Sequence, residues 1–262
     1  MPRAPDSLFQ ELAPQVRARG PLVLSLTNFV TANECANALL AVGAAPVMSL
    51  DRDDAADLAR VASAVVLNIG TLNPAFMEVA LAAGRTARER GIPLVLDPVG
   101  AGATRARLEA AGALLSETKP TIIRGNLAEI LALLPGAVGA QKGVDSDAAH
   151  SPENREKCAR LSRERGAVVA VTGPVDLVAQ GEKTAEIPGG SPLLTRLTGT
   201  GCLLSALVGA YAAVAPEDPF GAAQAAMRHL KKAGEAAASL LSAPENLGEF
   251  RVRLFDALAT LR

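Results

Sequence analysis

Short apolar runs alternate with helical patterns along almost the whole chain, and this alternation constrains the fold more than any other feature. The runs are apolar on both faces, which is typical of strands in a sheet that is covered on both sides. We predict such strands at residues 21–28, 45–50, 64–70, 92–100, 121–126 and 167–173. We predict helices at residues 7–19, 31–44, 51–62, 73–91, 104–116, from Leu127 onward, 149–166, 202–215, 218–241 and 246–261.

A repeated strand–helix order predicts right-handed βαβ units, and therefore a mostly parallel sheet in an α/β fold with helices on both faces. The exception is the pair of short segments at 176–181 and 183–188, whose tight connection predicts an antiparallel hairpin. Residues 136–152 are the most loop-like stretch, and we interpret them as a surface connection. Because the chain contains no linker and no repeat of fixed period, we predict one domain over residues 1–262.

Composition and charge exclude several classes of function. The chain has a net charge of −1 and 20% charged residues, which favours neither nucleic acid nor an anionic membrane as a partner. Its N-terminus lacks the apolar core of a signal peptide, and its long apolar runs are interrupted, so we expect no membrane span. Three scattered cysteines and two histidines, His150 and His229, argue against a zinc site or a His-centred hydrolase. We expect reduced thiols, a cytoplasmic location, and surface or packing roles for both histidines.

Polar residues stand at the ends of most predicted strands. In a parallel sheet, ligands bind outside the carboxyl ends of the strands. The residues at these ends are Thr27 and Asn28, Gly70 and Thr71, Asp97, Arg124 and Asn126, and Thr172 and Gly173. Turns favour polar residues for their own reasons, but so many at one edge together predict a ligand site.

The segment LTGTGC, which starts at Leu197, carries the strongest chemical signal. Gly199 and Gly201 precede a helix predicted to start at about Cys202. Glycines let backbone N–H groups turn inward, and a helix start adds unpaired donors with a partial positive charge. These features predict an anion hole for a transferring phosphoryl group. A glycine-rich loop entering a core helix is the structural alternative, and the segment matches neither the Walker A pattern nor a Rossmann fingerprint.

Cys202 lies at that predicted helix start. Two roles are open for its thiol: it accepts the proton of a substrate hydroxyl, or it holds that hydroxyl in line for phosphoryl transfer. A purely structural cysteine is the alternative to both roles.

The segment RGNLAEI, which starts at Arg124, has a structural and a functional interpretation. Asn126 and Glu129 fit a capping box at a helix start. In the functional interpretation, Glu129 holds Mg²⁺ through water and Asp97 supplies a second carboxylate, since Mg²⁺ is bound by few carboxylates and keeps several waters. Arg124 and Thr172 would then contact nucleotide phosphates.

In chain order, TNFVTANECAN, NIGTL, DPVGAGAT, RGNLAEI, VTG and LTGTGC resemble the hydroxyethylthiazole kinase family of the ribokinase-like superfamily. The resemblance covers most of the chain, from residue 25 to the helix after Cys202. It implies a three-layer α/β/α sandwich that phosphorylates 4-methyl-5-(2-hydroxyethyl)thiazole with ATP in thiamine salvage. It also implies a homotrimer with active sites at the subunit boundaries.

The resemblance assigns roles residue by residue. The implied ATP contacts are Arg124, Thr172 and Asn126; the thiazole contacts are Met48, Gly199 and Asn28; the Mg²⁺-site acids are Asp97 and Glu129; and the catalytic residues are Cys202, Gly199 and Gly201. The wider superfamily has an aspartate base where this chain has Cys202, which argues against a sugar kinase and makes a strong general base doubtful.

Three rival functions remain open on the residues alone. A related ATP-dependent dehydratase or pyrimidine kinase would keep aspartate at position 202. A non-catalytic nucleotide-binding regulator would need neither Glu129 nor Cys202. A dinucleotide-dependent oxidoreductase would carry GxGxxG in its first strand–helix unit, which this chain lacks.

Overall fold

The computed structural model describes residues 3–135 and 151–261. The strands are β1 Leu22–Leu26, β2 Ala45–Val47, β3 Ala64–Asn68, β4 Leu94–Asp97, β5 Ile122–Asn126, β6 Val168–Thr172, β7 Asp176–Gln180 and β8 Lys183–Ile187. The helices are α1 Pro5–Arg19, α2 Ala32–Ala41, α3 Arg52–Val61, α4 Pro74–Arg90, α5 Arg105–Thr118, α6 Leu127–Ala132, α7 Pro152–Arg165, α8 Thr200–Val214, α9 Pro219–Ser239 and α10 Leu247–Thr260.

All of these strands belong to one sheet with the order β2-β1-β3-β4-β5-β6-β7-β8. The pairs from β2 to β6 are parallel, while β7 and β8 are antiparallel to their neighbours. This confirms both the predicted parallel sheet and the predicted hairpin. Because β1 to β6 are parallel, their carboxyl ends meet along one edge.

The sheet separates two hydrophobic cores, because successive strand residues point to opposite faces. On one face, strand residues such as Val23 and Val66 pack with α1, α2, α8, α9 and α10. On the other face, residues such as Leu24 and Leu67 pack with α3, α4, α5, α6 and α7. The expected three-layer α/β/α sandwich is therefore confirmed.

Helix boundaries follow local capping chemistry. Asn73, for example, accepts a hydrogen bond from the backbone N–H of Phe76 and starts α4, which ends at Gly91 in the left-handed conformation (φ 65°). The predicted start of α8 was two residues late, since this helix begins at Thr200 with Gly199 as its N-cap. A 3₁₀ helix at Pro192–Arg196, which we did not predict, precedes it.

His229 is a packing residue, as expected. It is fully buried, its Nδ1 lies 2.8 Å from the hydroxyl of Tyr211, and burial lowers its pKa to about 3. His150 and residues 136–150 of the predicted surface connection lie outside the described residues. No helix in the described parts of the chain is both long enough and apolar enough to span a bilayer.

Candidate active site

The candidate active site lies at the carboxyl edge of the sheet, where the parallel register aligns the polar strand ends. Asn68 pairs with Asp97 across β3 and β4, and Asn126 pairs with Thr172 across β5 and β6. Polar residues that are far apart in sequence thus become neighbours at this edge, as the parallel register requires.

Arg124 is the cation at the centre of this edge. Its Nη2 donates to Thr172 Oγ1 at 2.9 Å, and its Nη1 lies 3.5 Å from Asp97 Oδ2. Arg124 and Asp97 are 6% and 0% exposed, so solvent screens this ion pair little. The hydroxyl of Thr172 donates onward to the carbonyl of Gly125, at 3.3 Å, which fixes its orientation.

The two oxygens of Asp97 have very different surroundings. Oδ2 accepts from Ser205 Oγ at 2.7 Å and from Asn68 Nδ2 at 2.8 Å, in addition to Arg124. Oδ1 is equally buried but has no hydrogen-bond partner among the described residues. Because a buried oxygen without a partner costs free energy, it is a ready ligand for a cation or for water on a cation.

The pKa of Asp97 is raised above its ordinary value, mainly because the carboxyl group is buried. Burial raises the pKa of Asp97, the positive charge of Arg124 lowers it, and the negative charge of Glu129 raises it again. A bound divalent cation would stabilise both carboxylates in their charged forms.

The glycine-rich segment packs directly against the other site residues. Gly199 has φ +87°, a left-handed conformation that favours glycine, and a Cβ there would come within 2.6 Å of Thr31 Cγ2. A Cβ on Gly201 would come within 2.9 Å of Arg124 Nη1. No side chain in the described part of the chain caps the start of α8, so the backbone N–H groups of its first turn have no side-chain acceptor.

Cys202 occupies the first turn of α8 and contacts the end of β1. Asn28 Nδ2 donates to Cys202 Sγ at 3.3 Å, and Asn28 Oδ1 accepts from the backbone N–H of Thr31 at 3.2 Å. Cys202 is partly exposed, whereas Cys35 and Cys158 are buried. The thiol therefore lies between the helix start and the loop that follows β1.

Glu129 and Asn126 form the capping box that we considered as the structural alternative. Glu129 Oε2 accepts from the N–H of Asn126 at 2.8 Å, and Oε1 accepts from the N–H of Gly100 at 2.9 Å. A carboxylate has about four lone-pair sites, so both oxygens retain capacity for water. In the described ranges, no three His, Cys, Asp or Glu side chains form a metal-binding group, and Mg²⁺ commonly uses only one or two carboxylates together with phosphates and water.

Met48 follows β2 at the same edge and is half-buried against the core that contains α2 and α8. Val30 and Leu50, in the loops after β1 and β2, are 59% and 90% exposed. Phe29 is 81% exposed. The loops after β1 and β2 thus present large apolar side chains to solvent, beside Asn28.

Two residues of this site, Asn68 and Ser205, were not predicted from the sequence. Asn68 ends β3, so the polar strand-end criterion would have found it if the strand had been ended two residues earlier. Ser205 is three residues after Cys202, on the same helix face. Its partner Asp97 is 108 residues away in sequence, and no local pattern connects the two.

Comparison with known proteins identifies a matching family. The model of the hydroxyethylthiazole kinase family matches residues 13–262. The hydroxyethylthiazole kinase of Leptothrix cholodnii is 48% identical over 248 residues, which cover 94% of this chain and 88% of that protein.

Solved structures give the same result. The structure of the hydroxyethylthiazole kinase protein from Pyrococcus horikoshii has a TM-score of 0.86 at 39% identity, covering 97% of this chain and 93% of that one. A ribokinase-like superfamily protein from Enterococcus faecalis has a TM-score of 0.65 at 12% identity, covering 98% and 96%. The latter similarity shows the fold alone. By the family match and the identity over nearly its whole length, this chain belongs to the hydroxyethylthiazole kinase family.

Proposed function

We propose that the protein transfers the γ-phosphoryl group of ATP to the hydroxyethyl group of 4-methyl-5-(2-hydroxyethyl)thiazole, giving the thiazole phosphate and ADP in thiamine salvage. One observation carries the proposal: the guanidinium of Arg124 lies directly against Gly201 in the uncapped first turn of α8. Phosphoryl transfer depends mainly on positioning and charge stabilisation, and this arrangement brings a fixed cation and free N–H donors to one point.

The nucleotide and the alcohol approach this point from different sides. Arg124 and Thr172 contact the phosphates of ATP, with Asn126 at the adjacent end of β5. On the acceptor side, Asn28, Met48 and Gly199 hold the thiazole, and Cys202 receives or orients its hydroxyl. The hydrogen bond from Asn28 to Cys202 supports placing these residues in one subsite.

We further propose Mg²⁺ as the cofactor, held through water by Asp97 and Glu129. The unpartnered Oδ1 of Asp97 supports this assignment, since it offers a charged oxygen at the phosphate end of the site. When bound, the cation would neutralise charge on the phosphates of ATP. Asp97 and Glu129 would hold the cation through water, while Ser205 and Asn68 donate to Asp97 Oδ2 and fix its carboxylate.

Coupled measurement of ADP release tests this function. We expect ADP formation with the hydroxyethylthiazole and little with pyridoxine or hydroxymethylpyrimidine, because Cys202 stands where the wider superfamily has an aspartate base. Equal turnover of all three alcohols, or ADP release that needs no alcohol, would contradict the proposed substrate.

We propose that the protein assembles as a homotrimer with active sites at the subunit boundaries. Phe29, Val30 and Leu50 support this, because large exposed apolar side chains grouped beside a site are typical of a covered surface. A neighbouring subunit over these loops would also exclude water from the transferring phosphoryl group.

Light scattering at assay dilution tests the assembly. We expect a trimer for the wild type and partial dissociation, with loss of activity, for Leu50→Ser. Val61→Ser is the matched control, because Val61 is also exposed (66%) but lies at the end of α3 that leads into β3, at the opposite edge of the sheet. A fully active monomer would refute the shared site.

We also propose that residues 1–262 form a single kinase domain and that it works in the cytoplasm. One sheet contains every described strand, which supports a single domain. The three cysteines are all free thiols, which supports a reducing compartment.

A further inference from the structure

Asn68, the last residue of β3, is 1% exposed and uses both ends of its amide. Nδ2 donates to Asp97 Oδ2 at 2.8 Å, and Oδ1 accepts from the backbone N–H of Gly70 at 2.9 Å. An ionised carboxylate only accepts and a backbone N–H only donates, so these two partners determine which way the amide points.

Asn68 Oδ1 also accepts from Asn28 Nδ2, at 3.1 Å. The second proton of that Asn28 amide goes to Cys202 Sγ. The two asparagines, which we call the amide bridge, therefore join Asp97 on the cation side to Cys202 on the acceptor side by consecutive hydrogen bonds.

Backbone packing holds the amide bridge in place. A Cβ on Gly70 would come within 2.8 Å of Asn28 Nδ2 and 2.9 Å of Asn68 Oδ1. The backbone at Gly70 thus lies close to both amides and leaves no room for a side chain beside them.

We propose that Asn68 is a positioning residue for phosphoryl transfer, which sets the Asn28–Cys202 pair relative to the Asp97 carboxylate. The inference rests on the roles proposed above for Asp97 and Cys202. In-line transfer requires the acceptor hydroxyl and the phosphates to be aligned, and small misplacements of the groups that hold them slow the reaction strongly. Asn68 touches neither substrate; it acts through the residues that do.

Two measurements on purified full-length protein test the proposal. The first is kcat and KM for ADP formation with the hydroxyethylthiazole. The second is the rate of Cys202 alkylation by iodoacetamide without substrates, followed by mass spectrometry. The second readout is selective, because Cys35 and Cys158 are buried and burial raises the pKa of each to about 12.

For Asn68→Ala we expect kcat to fall about 10- to 100-fold, with a smaller change in the KM for ATP, because alignment rather than binding is lost. We also expect faster alkylation of Cys202. Without Asn68, the Asn28 amide is free to rotate, and it no longer covers Cys202 Sγ with its hydrogen bond. Ser205→Ala is the control: it removes another donor from Asp97 Oδ2 without touching Asn28, so kcat should fall while alkylation keeps its wild-type rate.

Asn68→Asp distinguishes the contact with Asp97 from the contact with Asn28. It also keeps the shape of the side chain, so it serves as the test if the alanine variant does not fold. It retains the acceptor for Asn28 and Gly70 but faces Asp97 with a second carboxylate. We expect a large loss of kcat with alkylation at the wild-type rate.

Wild-type alkylation in folded Asn68→Ala, or wild-type kcat in both Asn68 variants, would overturn the proposal. Failure of the proposed function would look different: the wild type itself would form no ADP with the thiazole, while the alkylation pattern would stay as described.

Discussion

Two buried ion pairs lie near each other in this protein and differ in how completely they are partnered. Lys231 on α9 and Asp176 on β7 approach to 3.4 Å, and Lys231 Nζ also donates to the carbonyls of Gly189, Pro174 and Gly173. Arg124 and Asp97 are as deeply buried, but Arg124 Nε and Asp97 Oδ1 have no partner among the described residues.

This difference in partnering indicates that one pair stabilises the fold and that the other serves the candidate site. Partnered buried charges stabilise one arrangement of the chain, since removing either partner leaves the other charge without compensation. Buried polar atoms without partners are rare in native proteins, and where they lie at a candidate site, a bound ligand, ion or water can supply the missing partner. The Lys231–Asp176 pair holds the turn after β6, whereas the Arg124–Asp97 pair has two atoms without hydrogen-bond partners among the described residues, at the proposed nucleotide side of the site.

The largest expected effect is on stability, from Lys231→Met. This change leaves Asp176 charged and buried, so we expect the free energy of unfolding to fall by about 3–5 kcal/mol at pH 8. Urea denaturation followed by circular dichroism measures it. The double variant Lys231→Met/Asp176→Asn should recover most of the loss, and the KM for ATP of the folded protein should stay near the wild-type value. A large rise in that KM would show that this pair also serves the site.

Asp97→Asn should give the converse result. We expect kcat to fall about 100- to 1000-fold, or about 3–4 kcal/mol, because the charged ligand for the cation is lost. The urea midpoint should fall less than it does for Lys231→Met, since an amide still fills the space and Arg124 keeps its hydrogen bond to Thr172. Asp176→Asn is the matched control with activity retained. If Asp97→Asn kept more than a tenth of the wild-type activity, Asp97 would not differ from Asp176 in its importance for the reaction.

The pH dependence of stability sharpens the comparison. Burial, opposed by Lys231, raises the pKa of Asp176 from 3.8 to about 6 in the folded protein. The folded state therefore binds this proton more tightly than the unfolded chain does. The contribution of Asp176 protonation to the free energy of unfolding is fully present below pH 3.8. It is lost as the pH rises through 6, by up to about 3 kcal/mol. Subtracting the Asp176→Asn unfolding curve from that of the wild type, between pH 4 and pH 7.5, should isolate this slope; parallel curves would contradict it.

The smallest expected effect comes from a change to Arg124, the positively charged residue of the Arg124–Asp97 pair. Arg124→Ala should raise the KM for ATP about tenfold, because charge-assisted contacts to phosphate are lost. The KM for the thiazole should change less, and steady-state kinetics with each substrate varied in turn distinguishes the two. An unchanged KM for ATP would count against the assignment of Arg124 to the nucleotide.

Much of this molecule could be predicted from local pattern. Runs such as AVVLN in β3 are apolar on both faces, which requires a covered sheet, and the alternating helices require parallel connections. Asp97, Arg124 and Thr172 were identified because the ends of parallel strands share one edge. The start of α8 was misplaced by two residues, because glycine at the N-cap carries no side-chain signal.

Only the tertiary structure determined which distant side chains form hydrogen bonds with each other. Asn68 and Ser205 look ordinary in sequence, and both reach Asp97 only after strand register and helix packing bring β3, β4 and α8 together. The same holds for the contrast between the two ion pairs, since Lys231 finds its carbonyls 42 to 58 residues away. Periodicity is a property of neighbours along the chain and sets the elements, whereas hydrogen-bond satisfaction depends on distances in the folded protein and sets the chemistry of the site.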